Sequence, residues 1–161
     1  MMTNKKLDMT VMQAPFGPLY LYADTSHLWT VSFRELTTII PQSNSKNPIL
    51  KETCEQLNDY FSGQRFEFDI PMKLQGTNFQ QSVWQQLQAI EYGTTNSYGQ
   101  VAAAIQNPKA VRAVGMANNK NPIVIIVPCH RVIGAGGQLV GYGGGLPIKT
   151  WLLNHEKNYG Q

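Results

Sequence analysis

What this sequence is short of narrows it first. Among 161 residues only 14% are charged, and no apolar run approaches the roughly 20 residues that cross a bilayer, so no membrane-spanning helix is expected. Residues 1–13, MMTNKKLDMTVMQ, lack the apolar core of a secretory signal, and a cytoplasmic protein free of membrane is expected. Two cysteines, Cys54 and Cys129, are too few for a disulfide framework or a four-cysteine zinc site. His27, His130 and His155 lie far apart and show no metal-ligand spacing, so no metal is expected. Neither a long repeat array nor a disordered tail protein fits. With 42% apolar residues, the chain can bury a core as one globular unit or as two small lobes.

Charge is low in total but uneven along the chain. Residues 1–80 hold 7 basic and 8 acidic side chains, whereas residues 81–161 hold 6 basic and 2 acidic, so the whole net charge of +3 comes from the second half. A polyanionic partner is permitted there without being demanded.

From Thr10 to Phe33 apolar residues alternate, with breaks at Ala14–Pro18 and Ala23–Ser26, which predicts short antiparallel strands joined by turns. Pro41 to Pro48 reads as a loop. Leu50, Cys54, Leu57 and Phe61 then recur at helical spacing up to Ser62-Gly63, placing Cys54 on a buried helix face. Phe66, Phe68 and Ile70 suggest one more strand ending at Pro71. The composition changes between Pro71 and Gly76, and a boundary is set there, giving lobes of residues 1–73 and 74–161.

The second lobe opens with a helical pattern over Phe79, Val83, Leu87 and Ile90, flanked by Trp84 and stopped at Tyr92-Gly93. Ser97-Tyr98-Gly99-Gln100 is a capping box, so a helix should start at Tyr98. Asn107 as cap with Pro108 at the first helical position predicts another helix through about Asn118. Two short helices across a tight turn suit a helix-turn-helix, a weak signal by itself. On the second of them Ala110, Ala113 and Ala117 leave a face of methyl groups beside Arg112, small enough for a backbone to approach a nucleic-acid groove or simply another helix.

Ile123 to Val127 is a β-branched run expected to be a strand buried on both faces, delivering Pro128-Cys129-His130-Arg131. A thiol reacts as the thiolate, and an imidazole beside it is what a nucleophilic cysteine needs. Adjacent residues rarely meet side chain to side chain, so a turn or a bridging water has to link them. Seven of the chain's 14 glycines follow within Gly134 to Gly145, without a dinucleotide-binding or P-loop spacing. On the last predicted helix, Pro147 to about Glu156, residues Ile148, Leu152 and Glu156 share the core-facing stripe, and a carboxylate there needs a partner. His130 is the obvious one, giving Cys129, His130 and Glu156 the order of a nucleophile, a base and an orienting acid.

Ile126-Val127-Pro128-Cys129-His130-Arg131-Val132-Ile133 resembles the active-site motif of the O6-alkylguanine-DNA alkyltransferases. Tyr98–Ala102, Asn107–Gly115, Asn121-Pro122, Gly141–Leu146 and Lys149–Glu156 match the same family in order and spacing, so the resemblance is continuous from about Leu74 to Glu156. It implies an α/β (α+β) protein: a ribonuclease H-like N-terminal lobe with an antiparallel sheet, then a helical lobe with a winged helix-turn-helix-like unit. It implies a monomer that binds double-stranded DNA containing O6-alkylguanine and moves the alkyl group to Cys129 once, without a cofactor, with O4-alkylthymine a possible second base. By the same resemblance His130 deprotonates Cys129 through a water, Glu156 orients His130, and Asn121 braces the turn. Tyr98 would donate to the guanine ring, the Cys129 and Val132 carbonyls would accept from its amine, and the Gly143 N–H would meet O6 where some members have serine. Tyr142 and Lys149 would line the pocket. Arg112 would fill the stack vacated by the flipped base, with Ala110, Ala113 and Ala117 against the minor groove. Glu91-Tyr92-Gly93 departs from the family's Pro-Tyr-Gly, a change expected to touch stability more than chemistry.

Three other readings compete. A non-catalytic lesion binder would replace the cysteine, usually by tryptophan; a cysteine hydrolase would need an oxyanion site; a plain helix-turn-helix regulator would have no use for a Cys-His turn.

Overall fold

The computed structural model describes residues 6–39, 41–42 and 46–160. The chain divides into two compact units, Met1–Gln75 and Gly76–Gln161, a boundary two residues beyond the expected one. No helix among the described residues is long and apolar enough to cross a membrane.

In the N-terminal unit the alternating segment forms the antiparallel strands β1 (Leu7–Ala14), β2 (Gly17–Ala23) and β3 (Leu28–Ser32). Side chains alternate across the sheet, so Leu7, Tyr22 and Trp29 bury together with Ile39 on one face, with Met9 and Tyr20 packed against them. A two-residue strand β4 (Pro41–Gln42) falls inside the expected loop and pairs with β1 in parallel, completing the order β3-β2-β1-β4. The expected strand over Phe66 to Ile70 does not form. That stretch has no ladder partner, and only Met72, just past Pro71, bridges to Leu28.

Asn47 caps α1 (Pro48–Phe61), accepting from the N–H groups of Ile49 and Leu50 at 2.9 and 3.0 Å. The helix is where the spacing predicts it, but its buried face is turned. Thr53, Gln56 and Tyr60 are buried with Leu50 and Leu57, while Cys54 and Phe61 are half-buried. Polar groups direct that rotation: Gln56 donates to the Asp69 carbonyl and accepts from its N–H, and the Thr53 hydroxyl donates to Ile49.

The C-terminal unit starts with α2 (Asn78–Gln88), closed by a capping box of Thr77 and Gln80. Trp84 does not flank this helix but fills its interior face, its Nε1 donating to the Ala117 carbonyl at 2.9 Å. Gly76 lies so close under the indole that a Cβ there would stand 2.5 Å from the ring, a separation only glycine allows. The capping box of Ser97 and Gln100 starts α3 (Tyr98–Ala104) as the pattern predicts. The next helix begins three residues later than Pro108 suggests: Asn107–Ala110 closes as a turn, and α4 runs Val111–Asn119 with Ala110 as its uncapped N-cap. α2, α3 and α4 pack on one another.

Ile123–Val127 is buried except for the half-buried Val124, yet it is not a strand. Ile125 takes φ 73°, the Val127 N–H reaches back to the Ile123 carbonyl at 3.0 Å, and the run folds into tight turns. The Asn121 side chain closes these turns, donating to the Val127 carbonyl at 2.7 Å and accepting from the Ile123 N–H at 3.0 Å. A single 3-10 turn (Cys129–Arg131) follows, then β6 (Val132–Ile133), which pairs in parallel with β5 (Asn96–Ser97) just ahead of α3. Gly134–Gln138 is a hydrogen-bonded turn, and α5 (Leu146–Asn158) completes the unit.

Candidate active site

Cys129 and His130 are both buried, at the end of the Asn121-braced turns. The side chains of Asn121 and Tyr142 face the Cys129 thiol and favour its ionised form, as does the Lys149 charge. Burial pushes its pKa up and outweighs them, so the resting sulfur is a protonated thiol.

His130 is the complementary half. Its Nε2 lies 2.7 Å from Glu156 Oε2, and Glu156 comes from α5, 26 residues away in sequence. Burial favours the neutral imidazole and lowers the His130 pKa although Glu156 pulls the other way. Burial also opposes ionisation of Glu156, but hydrogen bonds and charge from His130 and Arg131 outweigh it and hold the carboxyl well below the usual carboxylate range. A carboxylate accepts only, so the His130 proton sits on Nε2 and the basic lone pair on Nδ1. Nδ1 is buried without a hydrogen-bond partner among the described residues. The site therefore holds a protonated thiol beside a neutral base whose free lone pair is on the right nitrogen.

Arg131 is the residue that sequence reasoning passed over. Its Nε and Nη2 donate to the two Glu156 oxygens at 2.8 and 2.9 Å, its Nη1 to the Ile90 carbonyl at 2.8 Å, and its guanidinium lies 5.6 Å from the centre of the Tyr92 ring. The Gly93 N–H adds a bond to Glu156 Oε1 at 3.3 Å. The signal was available, since a core-facing glutamate needs more donors than one imidazole provides. The same contacts tie the Tyr92-Gly93 turn to the base.

Lys149 is fully buried, and burial lowers its pKa. Rather than facing open space, its Nζ gathers backbone carbonyls, Val132 at 2.7 Å, Val140 at 3.1 Å and Gly141 at 3.5 Å. The Val132 carbonyl thus already accepts one hydrogen bond. Tyr98 is half-buried and its hydroxyl donates to the same Val140 carbonyl at 3.1 Å. Gly143 is exposed, and a Cβ built on it meets nothing within 4 Å. A serine would therefore fit there without displacing anything.

On α4, Arg112 and Ala113 are exposed and Ala110 is half-buried. Ala117 belongs to the interior instead: it is 3% exposed, beneath Trp84, and does not share the outward face expected of it. Met116 stands in its place, 64% exposed one turn beyond Arg112.

Residues 8–74 match the family described as 6-O-methylguanine DNA methyltransferase, ribonuclease-like domain, and residues 78–158 match its DNA binding domain. The methylated-DNA–protein-cysteine methyltransferase of Methanosarcina acetivorans is 48% identical over 149 residues, covering 91% of this chain and 96% of that one. The chain belongs to the methylated-DNA–protein-cysteine methyltransferase family. The family member from Mycobacterium leprae is 49% identical over 149 residues, covering 91% and 90% of the two chains. A crystal structure of the Mycobacterium tuberculosis alkyltransferase in complex with DNA superposes with a TM-score of 0.84 at 45% identity, covering 96% of this chain and 94% of that one. The chain is accordingly a DNA-binding, DNA-repair methyltransferase with an α/β ribonuclease-like N-terminal unit and a helical DNA-binding unit.

Proposed function

We propose that Cys129 takes the alkyl group from O6-alkylguanine in double-stranded DNA, once per molecule and without a cofactor. The observation that carries this is the pairing of a buried thiol with a neutral His130 whose Nε2 is fixed by Glu156 and whose Nδ1 is free to accept a proton. The thiol proton passes through a water to Nδ1. The sulfur then forms a bond to the alkyl carbon as the carbon–O6 bond breaks, and the electron pair leaves on the guanine. Glu156 balances the imidazolium that results, and Arg131 holds that carboxylate in place. A thioether offers no easy hydrolytic return, so one chain repairs one base.

Tyr98 supplies a hydrogen bond to the departing ring, for which its hydroxyl must leave the Val140 carbonyl. The Cys129 and Val132 carbonyls take the guanine amine, and the Gly143 N–H meets O6. Asn121 and Lys149 hold the two loops that carry these groups, and Tyr142 supports the sulfur. Arg112 fills the stack left by the flipped nucleotide, with Ala110 and Ala113 allowing close approach to the minor groove. All of these residues lie in one chain, consistent with a monomer.

Intact-protein mass after mixing with excess O6-methylguanine duplex tests the reading. One added methyl per chain, never more, and none on Cys129→Ala is expected; an unchanged mass with lesion-selective binding would make the protein a non-catalytic lesion binder. O4-alkylthymine carries the same alkyl–oxygen bond beside a ring nitrogen and is the second base for that assay. With few cations on the DNA-facing unit, we expect about 2 to 4 phosphate contacts, so log K against log salt should fall with a slope of about −2 to −4. A much steeper slope in a salt titration would place DNA on another face.

A further inference from the structure

Asn118 is a buried polar group that the chemistry above leaves unused. It is the penultimate residue of α4, the helix whose outer face carries Arg112, and it is 2% exposed. Its Nδ2 donates to the carbonyl of Cys129 at 3.3 Å, so the amide touches the peptide that joins nucleophile to base. With Nδ2 on a carbonyl, the amide orientation is settled, and the other atom is an acceptor. That acceptor, Oδ1, is buried and has no hydrogen-bond partner among the described residues. His130 Nδ1 is the other buried side-chain acceptor beside the same peptide in that condition.

Two acceptors without donors, buried next to one peptide, are costly apart and useful together. A water has two protons to give and keeps lone pairs with which to accept from the Cys129 S–H. Buried waters sit where polar groups of this kind converge.

We propose that Asn118 is a positioning residue for alkyl transfer: its Nδ2 fixes the Cys129 carbonyl and its Oδ1 is the second acceptor that orients the water relaying the proton from Cys129 to His130. The proposal rests on Cys129 being the alkyl acceptor. It gives α4 two jobs on opposite faces, DNA outside and proton relay inside. In the step, Sγ gives its proton to the water and the water gives one to Nδ1, while its other proton stays on the water, donated as a hydrogen bond to Asn118 Oδ1, so no proton is gained or lost.

The test is the pH dependence of Cys129 alkylation by a free base, O6-benzylguanine, which needs no DNA interface. Facing the thiol are His130 on its own turn, Lys149 from α5, Tyr142 from the glycine-rich loop and Tyr98 from α3, with Glu156 and Arg131 behind the imidazole. All are untouched in Asn118→Leu and Asn118→Asp. At neutral pH, Asn118→Leu should react about tenfold more slowly, a part of the 10²–10⁴ that a positioned base contributes. The deficit should close at alkaline pH, where the thiol ionises unaided. Asn118→Asp keeps an oxygen at the acceptor position and should fall between Asn118→Leu and the parent. A merely structural asparagine would instead give lower melting temperatures with rates reduced by one factor at every pH, and that result overturns the proposal even if only the Asp variant folds. If O6-methylguanine duplex alkylates the parent chain and the free base does not, the same pH series is read on the duplex; if neither alkylates Cys129, the alkyl-acceptor reading fails first and takes this proposal with it.

Discussion

Replacing Arg131 by methionine is expected to destabilise the C-terminal unit by about 3–5 kcal/mol, the range for removing one partner of a buried ion pair. Methionine nearly matches the stem in volume, so packing changes little. What is lost is the pair of bonds at 2.8 and 2.9 Å to Glu156 and the bond to Ile90, and what remains is a carboxylate 1% exposed that keeps the His130 imidazole and the Gly93 N–H but has lost its cation. The cost is mainly that stranded charge. Adding Glu156→Leu to Arg131→Met should therefore restore part of the stability, and urea titration of the two single variants and the double variant would show the non-additivity. If the double variant loses the full sum, the two residues do not act as a pair. The acid limb carries the same information. The folded state holds Glu156 well below the usual carboxylate range, so around pH 4 the unfolded chain binds the extra proton. Stability from this site is complete above the ordinary glutamate pKa and drains away as pH falls below it. Arg131→Met should flatten that limb, because the Arg131 charge and bonds are among the causes of the depression.

The parts of this molecule that were legible in its sequence are those set by local rules. Ser97 and Gln100 are three residues apart and cap α3, and the alternation from Thr10 to Phe33 became β1, β2 and β3. The stripe of Ile148, Leu152 and Glu156 brought the carboxylate inward to His130. Where the reading failed, a side-chain polar group had claimed backbone that the local pattern assigned elsewhere. Ile123–Val127 has the composition of a strand, but Asn121 captures both ends of it and forces Ile125 to a positive φ. Gln56 turns α1 by gripping the Asp69 backbone, which leaves Cys54 only half-buried. Ala117 has the size of a groove-facing residue and was placed by Trp84, 33 residues earlier. Hydrophobic spacing says which side of an element is apolar; it does not say which side-chain amide will claim a backbone group from another part of the chain.

His130→Leu is expected to lower alkyl transfer at neutral pH by about 10²–10⁴-fold, the worth of a positioned base. The reason lies in the opposed shifts of the two groups. Burial raises the Cys129 pKa against the pull of Asn121, Lys149 and Tyr142, so at neutral pH little thiolate exists without help. Burial lowers the His130 pKa against the pull of Glu156, so the imidazole stays neutral and able to accept a proton down into mildly acidic solution. The parent chain should accordingly show a nearly flat pH–rate profile that falls only below the ordinary histidine pKa of about 6.5. In His130→Leu the rate should climb about tenfold per pH unit until the raised thiol pKa is reached, and the two profiles should converge there. Glu156→Gln separates orientation from basicity. A glutamine can still meet Nε2, yet it cannot balance the imidazolium, so its profile should keep the parent's shape at a lower rate. If His130→Leu were flat and slow at every pH, the histidine would be holding the pocket's shape and not taking the thiol's proton, and the source of the nucleophile would have to be sought at Lys149, the other charged group acting on the sulfur.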